Sequence, residues 1–452
     1  MADLMSVDEL RSAVADDSID TVILAMPDMQ GRLQGKRLDA GHFLADIING
    51  GLHTCSYLIT RDVDMVIHDG YDFADSSSGM GDFVLEPDMN TLRPMPWVPG
   101  TVLVLANTAW EDGRPVVQAP REILRRQLER LRERGWTALV ATELEFLLFE
   151  QSYQDAQSTD YHRLTPASYY DADYSIFGTA KMEPLLRQIR RAMRDAGMPV
   201  EGVTGEVNHG QFELGFKYDK AMNTCDNHVL YKEGVKEIAM NNGVAATFMA
   251  KFNEGAGNSC HVHLSLVDDE GCPVFADQSR ENGYSEIFEH FLAGQLAAAN
   301  DLSLMVAPNI NSYKRYQEGT FAPTALQWGR DNRTCAVRVI GEGRSLRLEN
   351  RTPGGDVNPY LAVAAIIAAG LHGIDEQLAL PPEATGNAYG IGGERMPTSL
   401  RDAITLWDSS VVAEKAFGSD VVRHYSNAAT NEVATYEGAV TDWERRRGFE
   451  RM

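Results

Sequence analysis

Charged side chains that alternate along strand-like segments place the strongest constraint on how this chain can fold. In the run TALVATELEFLLFE, Glu143 and Glu145 are two residues apart among apolar neighbours. Successive side chains of a strand point to opposite faces, so both carboxylates lie on one face, roughly 7 Å apart. Two carboxylates on one face repel each other and resist burial. One such strand is explained by a solvated sheet face, so the interpretation depends on whether the pattern recurs.

The same pattern recurs in three further segments. HVHLS places two imidazoles and a hydroxyl on one face, RLENR places a carboxylate between two guanidinium groups, and GEVNHGQFEL adds two carboxylates. The residues are His261, His263 and Ser265, then Arg347, Glu349 and Arg351, then Glu206 and Glu213. If the four segments line one cavity, five glutamates and one histidine need compensating cations. A donor set of oxygens with one nitrogen and no thiolate favours Mg²⁺ or Mn²⁺ over zinc.

Arginines cluster in the same part of the sequence. Arg315 lies in NSYKRY, Arg333 in DNR and Arg338 in AVRV, close to the two arginines of RLENR. Guanidinium groups suit bidentate contacts with carboxylates and phosphates. Divalent ions and several arginines in one cavity are typical of phosphoryl transfer. From these residues alone we predict metal-assisted chemistry on an anionic substrate.

The order of strand-like and helix-like segments predicts an α+β fold with two domains. Strand-like runs dominate residues 21–106, and the turn-rich residues 111–115 are a plausible boundary. Apolar residues at helical spacing then predict helices over residues 121–135 and 182–197, with the run at residues 137–150 as a long strand between them. The last eighty residues are predicted to be mainly helical. We therefore expect a small β-rich N-terminal domain and a large α+β domain.

The charge balance excludes some partners. Lys and Arg total 41 against 65 Asp and Glu, a formal charge of −24, which disfavours binding to nucleic acid or to an anionic membrane. The N-terminal residues lack the pattern of a signal peptide, and Ser6 to Glu9 predicts a capping box that opens a helix. The apolar run at residues 362–370 is too short to span a bilayer. Five widely spaced cysteines without CxxC predict reduced thiols in a cytoplasmic protein.

Taken together and in this order, the motifs resemble those of the glutamine synthetase family. They are ELEF at Glu143, GEVNHGQFEL at Gly205, GNSCHVHLSL at Gly257, NSYKRY at Asn311 and RLENRTPGGDVNPYLAVAA at Arg347. The resemblance implies a β-grasp N-terminal domain over residues 1–112 and a catalytic domain over residues 113–452 with a curved antiparallel sheet. It also implies a homo-oligomer, commonly a dodecamer of two hexameric rings, with active sites between neighbouring subunits.

The resemblance assigns a role to each group of residues. It implies one divalent ion at Glu145, Glu206 and Glu213, a second at Glu143, His261 and Glu349, and two or three Mg²⁺ or Mn²⁺ in all, with ATP as co-substrate. Arg315, Arg351 and Gly257 match positions that bind glutamate, and Arg333, Arg338 and Arg347 match positions that face the phosphates. His263 and Ser265 match nucleotide contacts. Arg315 and Arg333 are also expected to act in catalysis.

The chain departs from the family pattern at the ammonium subsite. The flap that follows NSYKRY ends in Gly-Tyr-Glu-Ala-Pro in glutamine synthetases, but here residues 318–323 read EGTFAP, which puts Phe321 at the position of the flap glutamate. An Asp-Gly-Ser-Ser segment that helps to bind ammonium has no match in residues 55–82, where only Asp62 and Asp64 stand in no recognisable register. Exchanging a carboxylate for an aromatic ring removes a charge and adds an apolar wall, which can also face an alkylammonium group.

We therefore predict a ligase that joins the γ-carboxylate of glutamate to an organic amine through γ-glutamyl phosphate. A small monoamine such as ethanolamine or a polyamine is expected, with Asp62, Asp64 or Glu318 available for a second charge. The alternatives are a true glutamine synthetase that uses ammonia with Glu318 as substitute base, a non-catalytic member of the family, and a guanidino-phosphotransferase on the same catalytic fold.

Overall fold

Two β-sheets built from consecutive parts of the chain organise the computed structural model, which describes residues 4–73, 79–390 and 392–452. The first sheet has the order β2-β1-β6-β4-β3, with β5 added to β6. Its strands are β1 (Thr21–Pro27), β2 (Leu33–Asp39), β3 (Leu52–Cys55), β4 (Asp82–Pro87), β5 (Arg93–Pro94) and β6 (Thr101–Ala109). Strands β1 and β6 pair in parallel at the centre, and the other pairs are antiparallel.

The second sheet is larger and has the order β13-β14-β15-β12-β7-β9-β8, with β10 and β11 also paired to β7. Its strands are β7 (Trp136–Phe149), β8 (Val200–Gly205), β9 (Gln211–Phe216), β10 (Asp219–Lys220), β11 (Ala245–Thr247), β12 (Cys260–Asp268), β13 (Trp328–Arg330), β14 (Val337–Ile340) and β15 (Arg347–Asn350). Its long strand β7 is the one predicted from TALVATELEFLLFE, and it pairs with β12 on one side and with β9 on the other.

The helices follow the predicted pattern. Three helices belong to the part of the chain that forms the first sheet, namely α1 (Val7–Ala15), α2 (Ala40–His42) and α3 (Ile48–Gly50). Those between the two sheets and within the larger sheet are α4 (Pro120–Arg132), α5 (Tyr153–Ser158), α6 (Ile176–Ala180), α7 (Glu183–Asp195), α8 (Ala221–Asn241), α9 (Glu286–Ala297) and α10 (Ser303–Val306). The later ones are α11 (Pro359–Asp375), α12 (Leu400–Asp408), α13 (Val411–Phe417), α14 (Ser419–Gly438) and α15 (Asp442–Gly448). The capping box predicted at Ser6 and Glu9 is present, and the α+β class is confirmed.

One face of the larger sheet is covered by helices. Leu144, Phe146, Val262 and Leu348 are buried in a core that they share with apolar residues of α4, α8, α9 and α11. Because side chains alternate in a strand, this burial leaves the neighbouring charged residues of β7, β12 and β15 on the opposite face. Burial of the apolar face thus decides which face of the sheet presents charge.

A buried ion pair joins the N-terminal sheet to the helices of the larger unit. Arg121 of α4 contacts Asp226 of α8 at 2.8 Å and Asp88, which follows β4, at 3.0 Å. The Asp226 carboxylate also accepts a 2.6 Å hydrogen bond from Tyr360 of α11. Removing one partner would leave an uncompensated buried charge, so the network fixes how the two parts pack.

The predicted boundary at residues 112 and 113 falls between β6 and α4, and it stays a prediction. Within the described ranges, no helix is both long enough and apolar enough to cross a membrane.

Candidate active site

Strand register gathers the charged side chains of the larger sheet into two groups of three. In each group, one potential ligand atom per side chain lies within 4.8 Å of the other two. The first group is Glu143, His261 and Glu349, and the second is Glu145, Glu206 and Glu213. All six come from the segments predicted to line one cavity, and each group contains the residues expected to share an ion. The structure therefore brings these residues together as the sequence indicated.

Glu143 is hydrogen-bonded to two imidazoles of β12. Its carboxylate lies 3.1 Å from Nδ1 of His261 and 2.8 Å from Nε2 of His263. Burial by itself would raise the pKa of Glu143, but these hydrogen bonds outweigh burial and lower it. Glu143 is therefore held in its ionised form, which is the form that a metal ion binds.

Glu349 lies between two guanidinium groups. Arg338 of β14 donates to its carboxylate at 2.8 Å, and Arg351 pairs with the other oxygen. Burial would raise the pKa of Glu349, but the charges of His261 and Arg351 outweigh burial and lower it. Both arginines thus compensate a buried carboxylate at the point where three strands meet.

Glu145 is held in place by donors from two neighbouring segments. The side-chain amide of Gln211 donates to its carboxylate at 2.8 Å, the backbone N–H of Ser259 donates at 2.8 Å, and the Ser259 hydroxyl also donates. Gln211 is only 2% exposed and also donates to the backbone carbonyl of Gly257 at 3.0 Å. These contacts fix the direction in which the Glu145 carboxylate points.

The other two acids of the second group, Glu206 and Glu213, lie in negative surroundings that disfavour their ionised forms. Burial, then the charges of Glu145 and Asp173, raise the pKa of Glu206 to about 8. Burial and the charges of Glu143 and Glu145 raise the pKa of Glu213 well above its usual value. A divalent cation between them would relieve this repulsion, because the ionised forms would then be paired. A group of three carboxylates and a group of two carboxylates with one imidazole both suit Mg²⁺ or Mn²⁺.

Both groups line one cleft of about 240 Å³, together with four arginines. The arginines are Arg315, Arg333, Arg338 and Arg351. The Nε atom of Arg351 is buried without a hydrogen-bond partner in the described residues. Buried donors are normally satisfied, so this atom is available to an anionic ligand that enters the cleft.

Arg315 organises the loop that follows β15. It is 3% exposed, and its guanidinium group donates at 2.8 Å to the backbone carbonyls of Arg351 and of Thr352. Gly257 packs against it, since a Cβ at this position would lie 2.3 Å from the Ala250 carbonyl oxygen and 3.1 Å from Cγ of Arg315. Only glycine fits here, and the arrangement holds Arg351 towards the cleft.

Arg333 and Arg338 also line the cleft. Arg338 bridges the buried Glu349 and the exposed Asp331. The exposed side chain of Arg333 makes no hydrogen bond to any described residue. An unbonded guanidinium group at a cleft edge can move to meet a phosphate.

Three residues predicted to contact the nucleotide lie beyond the cleft lining. Nε of Arg347 donates to Nδ1 of His263 at 3.3 Å, while His263 reaches Glu143 through its other nitrogen. Ser265 is two residues further along the same face of β12. These side chains extend the charged face of the sheet away from the two acidic groups.

The flap, residues 318–323, borders the cleft with Phe321. Phe321 is 53% exposed, its φ is +55°, and its carbonyl accepts a 3.3 Å hydrogen bond from Arg351. A left-handed backbone is rare for a bulky residue, and such strain is found mostly at functional sites. Glu318 lies outside the residues that line the cleft and is 3.6 Å from Arg395.

The two acids suggested for a second charge do not line this cleft in a single chain. Asp62 lies 2.7 Å from His68, and its carboxylate accepts the backbone N–H of Asp64. Within the stretch 55–82 that lacked an Asp-Gly-Ser-Ser match, residues 74–78 lie outside the described residues.

Several residues of the site were missed from the sequence, among them Ser259, which donates to Glu145. Gln211 shares one face of β9 with Glu213, so strand alternation could have indicated it. Asp173 and Tyr174 line the cleft from the loop before α6, where no periodicity announces the direction of a side chain. These two residues could be found only from the structure.

Comparisons with known proteins agree with this geometry. The family model described as glutamine synthetase, catalytic domain, matches residues 117–448. The chain is 55% identical over 448 residues to a γ-glutamylethanolamide synthetase of Streptomyces coelicolor, covering 99% of this chain and 96% of that protein. It is 35% identical over 441 residues to a glutamate–isopropylamine ligase of a Pseudomonas species, covering 96% of each.

A solved structure has the same overall fold. Ligand-free GmaS superposes with a TM-score of 0.85 at 29% sequence identity, covering 97% of this chain and 99% of that one. The similarity therefore extends over both sheets.

We predict that Gln211→Leu weakens metal binding. The substitution removes the amide that orients Glu145, and loss of a group that orients a ligand typically costs about 10- to 100-fold in metal affinity. Titration of Mn²⁺ followed by electron paramagnetic resonance measures the affinity directly. Gln127→Leu is a matched control, because Gln127 is equally buried but donates to the carbonyl of Ala416. Equal Mn²⁺ affinity in the two variants would contradict the role of Gln211.

Proposed function

The chain belongs to the glutamine synthetase family, and on this premise we propose that it is an ATP-dependent ligase that joins the γ-carboxylate of L-glutamate to a small organic amine. Enzymes of this family use ATP and divalent metal ions. The observation that carries the proposal is one cleft that combines two acidic groups and four arginines with Phe321 in place of a flap carboxylate. Ethanolamine is the first candidate for the amine, since the S. coelicolor relative is named for the ethanolamide product.

We propose that each acidic group holds one ion. This accounts for two of the expected Mg²⁺ or Mn²⁺ ions, of which there are two or three in all. Glu145, Glu206 and Glu213 would hold one ion, and Glu143, His261 and Glu349 the other. When bound, such ions neutralise phosphate oxygens and stabilise the charge that develops during phosphoryl transfer. The closeness of Glu145, Glu206 and Glu213 supports this assignment, because it concentrates negative charge at one point of the cleft.

The arginines are proposed to hold the anionic substrates. Arg351, with its unpaired Nε and with Arg315 supporting its backbone, would bind the glutamate carboxylates beside Gly257. Arg333 and Arg338 would face the phosphates. Arg347, His263 and Ser265 would contact the nucleotide further along β12 and β15. The residues of the cleft thus neutralise both substrates before any bond changes.

We propose two chemical steps. A γ-carboxylate oxygen of glutamate forms a bond to the γ-phosphorus of ATP as the bond to ADP breaks, which yields γ-glutamyl phosphate. An amine that arrives protonated first gives one proton to solvent. The neutral amine nitrogen then forms a bond to the γ-carbonyl carbon, the bond between that carbon and the phosphate oxygen breaks, and the nitrogen gives its remaining excess proton to solvent. Arginines fixed near the carbonyl stabilise charge that builds up in both steps, and holding the reactants together supplies the remaining rate gain.

Phe321 supports an organic amine over ammonia. A half-exposed aromatic ring at the cleft can pack against the carbon atoms of an amine, and this contact is not available to ammonium. True glutamine synthetase activity, with Glu318 as the substitute base, is less well supported because Glu318 lies outside the cleft lining and beside Arg395. The intact acidic groups also argue against a non-catalytic member of the family.

We propose that the protein is a cytoplasmic homo-oligomer, a dodecamer of two hexameric rings. Ile176 and Phe177 of α6 are 87% and 82% exposed beside the cleft, which suits burial against a neighbouring subunit. All five cysteines are free thiols, as in proteins of reducing compartments. Light scattering coupled to size exclusion should give about twelve times the chain mass of 49.9 kDa, and a monomer would contradict the proposal.

The experiment that tests the activity is an amine panel with glutamate, ATP and Mg²⁺. We expect kcat/KM for ethanolamine to exceed that for ammonium by about ten-fold or more, because each added carbon can pack against the apolar wall. Phosphate release and product mass are measured for ammonium, ethanolamine, isopropylamine and putrescine. Ammonium used as well as every organic amine would indicate a true glutamine synthetase, and no product with any amine would indicate a non-catalytic protein. A γ-glutamyl amide product would exclude a guanidino-phosphotransferase, because the product of such an enzyme keeps a phosphate on nitrogen.

We predict that Phe321→Glu shifts the preference towards ammonium. The new carboxylate adds a negative charge beside the cleft and removes the apolar wall, so the ratio of ethanolamine to ammonium kcat/KM should fall about ten-fold. Phe321→Leu is the matched control, since the new residue must adopt the same backbone conformation but keeps an apolar side chain. An unchanged ratio in Phe321→Glu would show that this position does not select the amine.

A further inference from the structure

Asp173 stands apart from the other acids of the cleft. Six carboxylates line it, and five belong to the two groups proposed to hold metal ions. Asp173 is the remaining one among the described residues. It lies in the loop before α6, whereas the other five lie on or next to strands of the larger sheet.

The surroundings of Asp173 are negative. The carboxylates of Asp171 and Glu206 lie close enough to Asp173 to interact with it electrostatically. Its carboxylate forms no ion pair or hydrogen bond with any described residue, and only its backbone N–H is bonded, to the Asp171 side chain at 2.9 Å. A carboxylate in such a field attracts a cation of its own.

The charges of glutamate, ATP and the divalent ions account for the other charged groups of the cleft, but they do not account for Asp173. The arginines suit the carboxylates of glutamate and the phosphates of ATP, and the two acidic groups suit divalent ions. The amine is the one substrate that arrives as a monovalent organic cation, since a primary alkylamine is protonated near neutral pH. Asp173 has the complementary charge and is not committed elsewhere.

Two aromatic residues accompany Asp173 in the cleft lining. Tyr174 follows it directly with φ +52°, and Phe321 has φ +55°. Tyr174 is 75% exposed, so its ring is available to cover a ligand. Aromatic faces attract alkylammonium groups and pack against their carbon atoms.

On the basis of the function proposed above, we propose that Asp173 binds the ammonium group of the incoming amine, with Tyr174 and Phe321 covering its carbon chain. The site takes a small primary alkylamine with one positive charge. The carboxylate that the flap lacks at Phe321 is thus supplied from the loop before α6. Asp173 sets the affinity for the amine and leaves the binding of glutamate, ATP and metal to other residues.

Asp173→Asn tests this role, because it removes the charge and keeps the size of the side chain. We expect KM for ethanolamine to rise about ten-fold or more, because a hydrogen bond to a charged group contributes that much to binding affinity. The values of KM for ATP and for glutamate should change by less than about two-fold. Hydroxylamine is an uncharged nucleophile at pH 8, so the variant and the unsubstituted protein should use it equally well.

Asp171→Asn is the matched control. It removes the same charge from the same loop, and Asp171 does not line the cleft. Its KM for ethanolamine should stay within about two-fold, since a charge in solvent is screened. An unchanged ethanolamine KM in Asp173→Asn, a parallel loss of hydroxylamine use, or an equal effect of Asp171→Asn would each overturn the proposal.

These outcomes differ from failure of the proposed function. If the unsubstituted protein forms no amide with any amine, the proposed ligase activity is wrong, and so is the role proposed for Asp173. If the unsubstituted protein is active and only the Asp173→Asn comparison fails, the ligase stands and the amine is bound elsewhere.

Discussion

Repulsion among five glutamates on one face of a sheet is the constraint on which the rest of this structure depends. Glu143, Glu145, Glu206, Glu213 and Glu349 cannot all ionise in a partly buried cleft unless positive charge is near. The chain supplies part of that charge through Arg338 and Arg351, which bind Glu349, while two imidazoles of β12 are hydrogen-bonded to Glu143. The remaining negative charge lies at Glu206 and Glu213, where the structure has room for cations.

Rigid support makes this unfavourable arrangement sustainable. The apolar face of the same strands is buried under helices, so the charged face cannot turn away without exposing the core. Gln211 and Ser259 then fix the direction of Glu145, and Arg315 fixes the loop that carries Arg351. Hydrogen bonds among these side chains therefore decide where the cations and anions can lie.

The amine end of the cleft follows a different principle. There the chain uses loops, with Tyr174 and Phe321 in left-handed backbone conformations and Asp173 on a turn before a short helix. Loops carried by a rigid sheet can change the nucleophile without disturbing the metal and phosphate chemistry. This division explains how one family can keep the activation of glutamate and vary the amine.

The sequence by itself determined which residues share a face, because alternation in a strand is a local property of the backbone. It indicated a strand-rich N-terminal part, the long strand β7, the acids of β7 and β9 and the histidines of β12, and the missing flap acid at Phe321. Only the tertiary structure decided that Glu143 meets His261, 118 residues away, because strand pairing is not local. The same reason explains why the sequence did not indicate Asp173 or the Arg121 network. Both depend on how distant segments pack, and no periodicity within a loop or a single helix reports that.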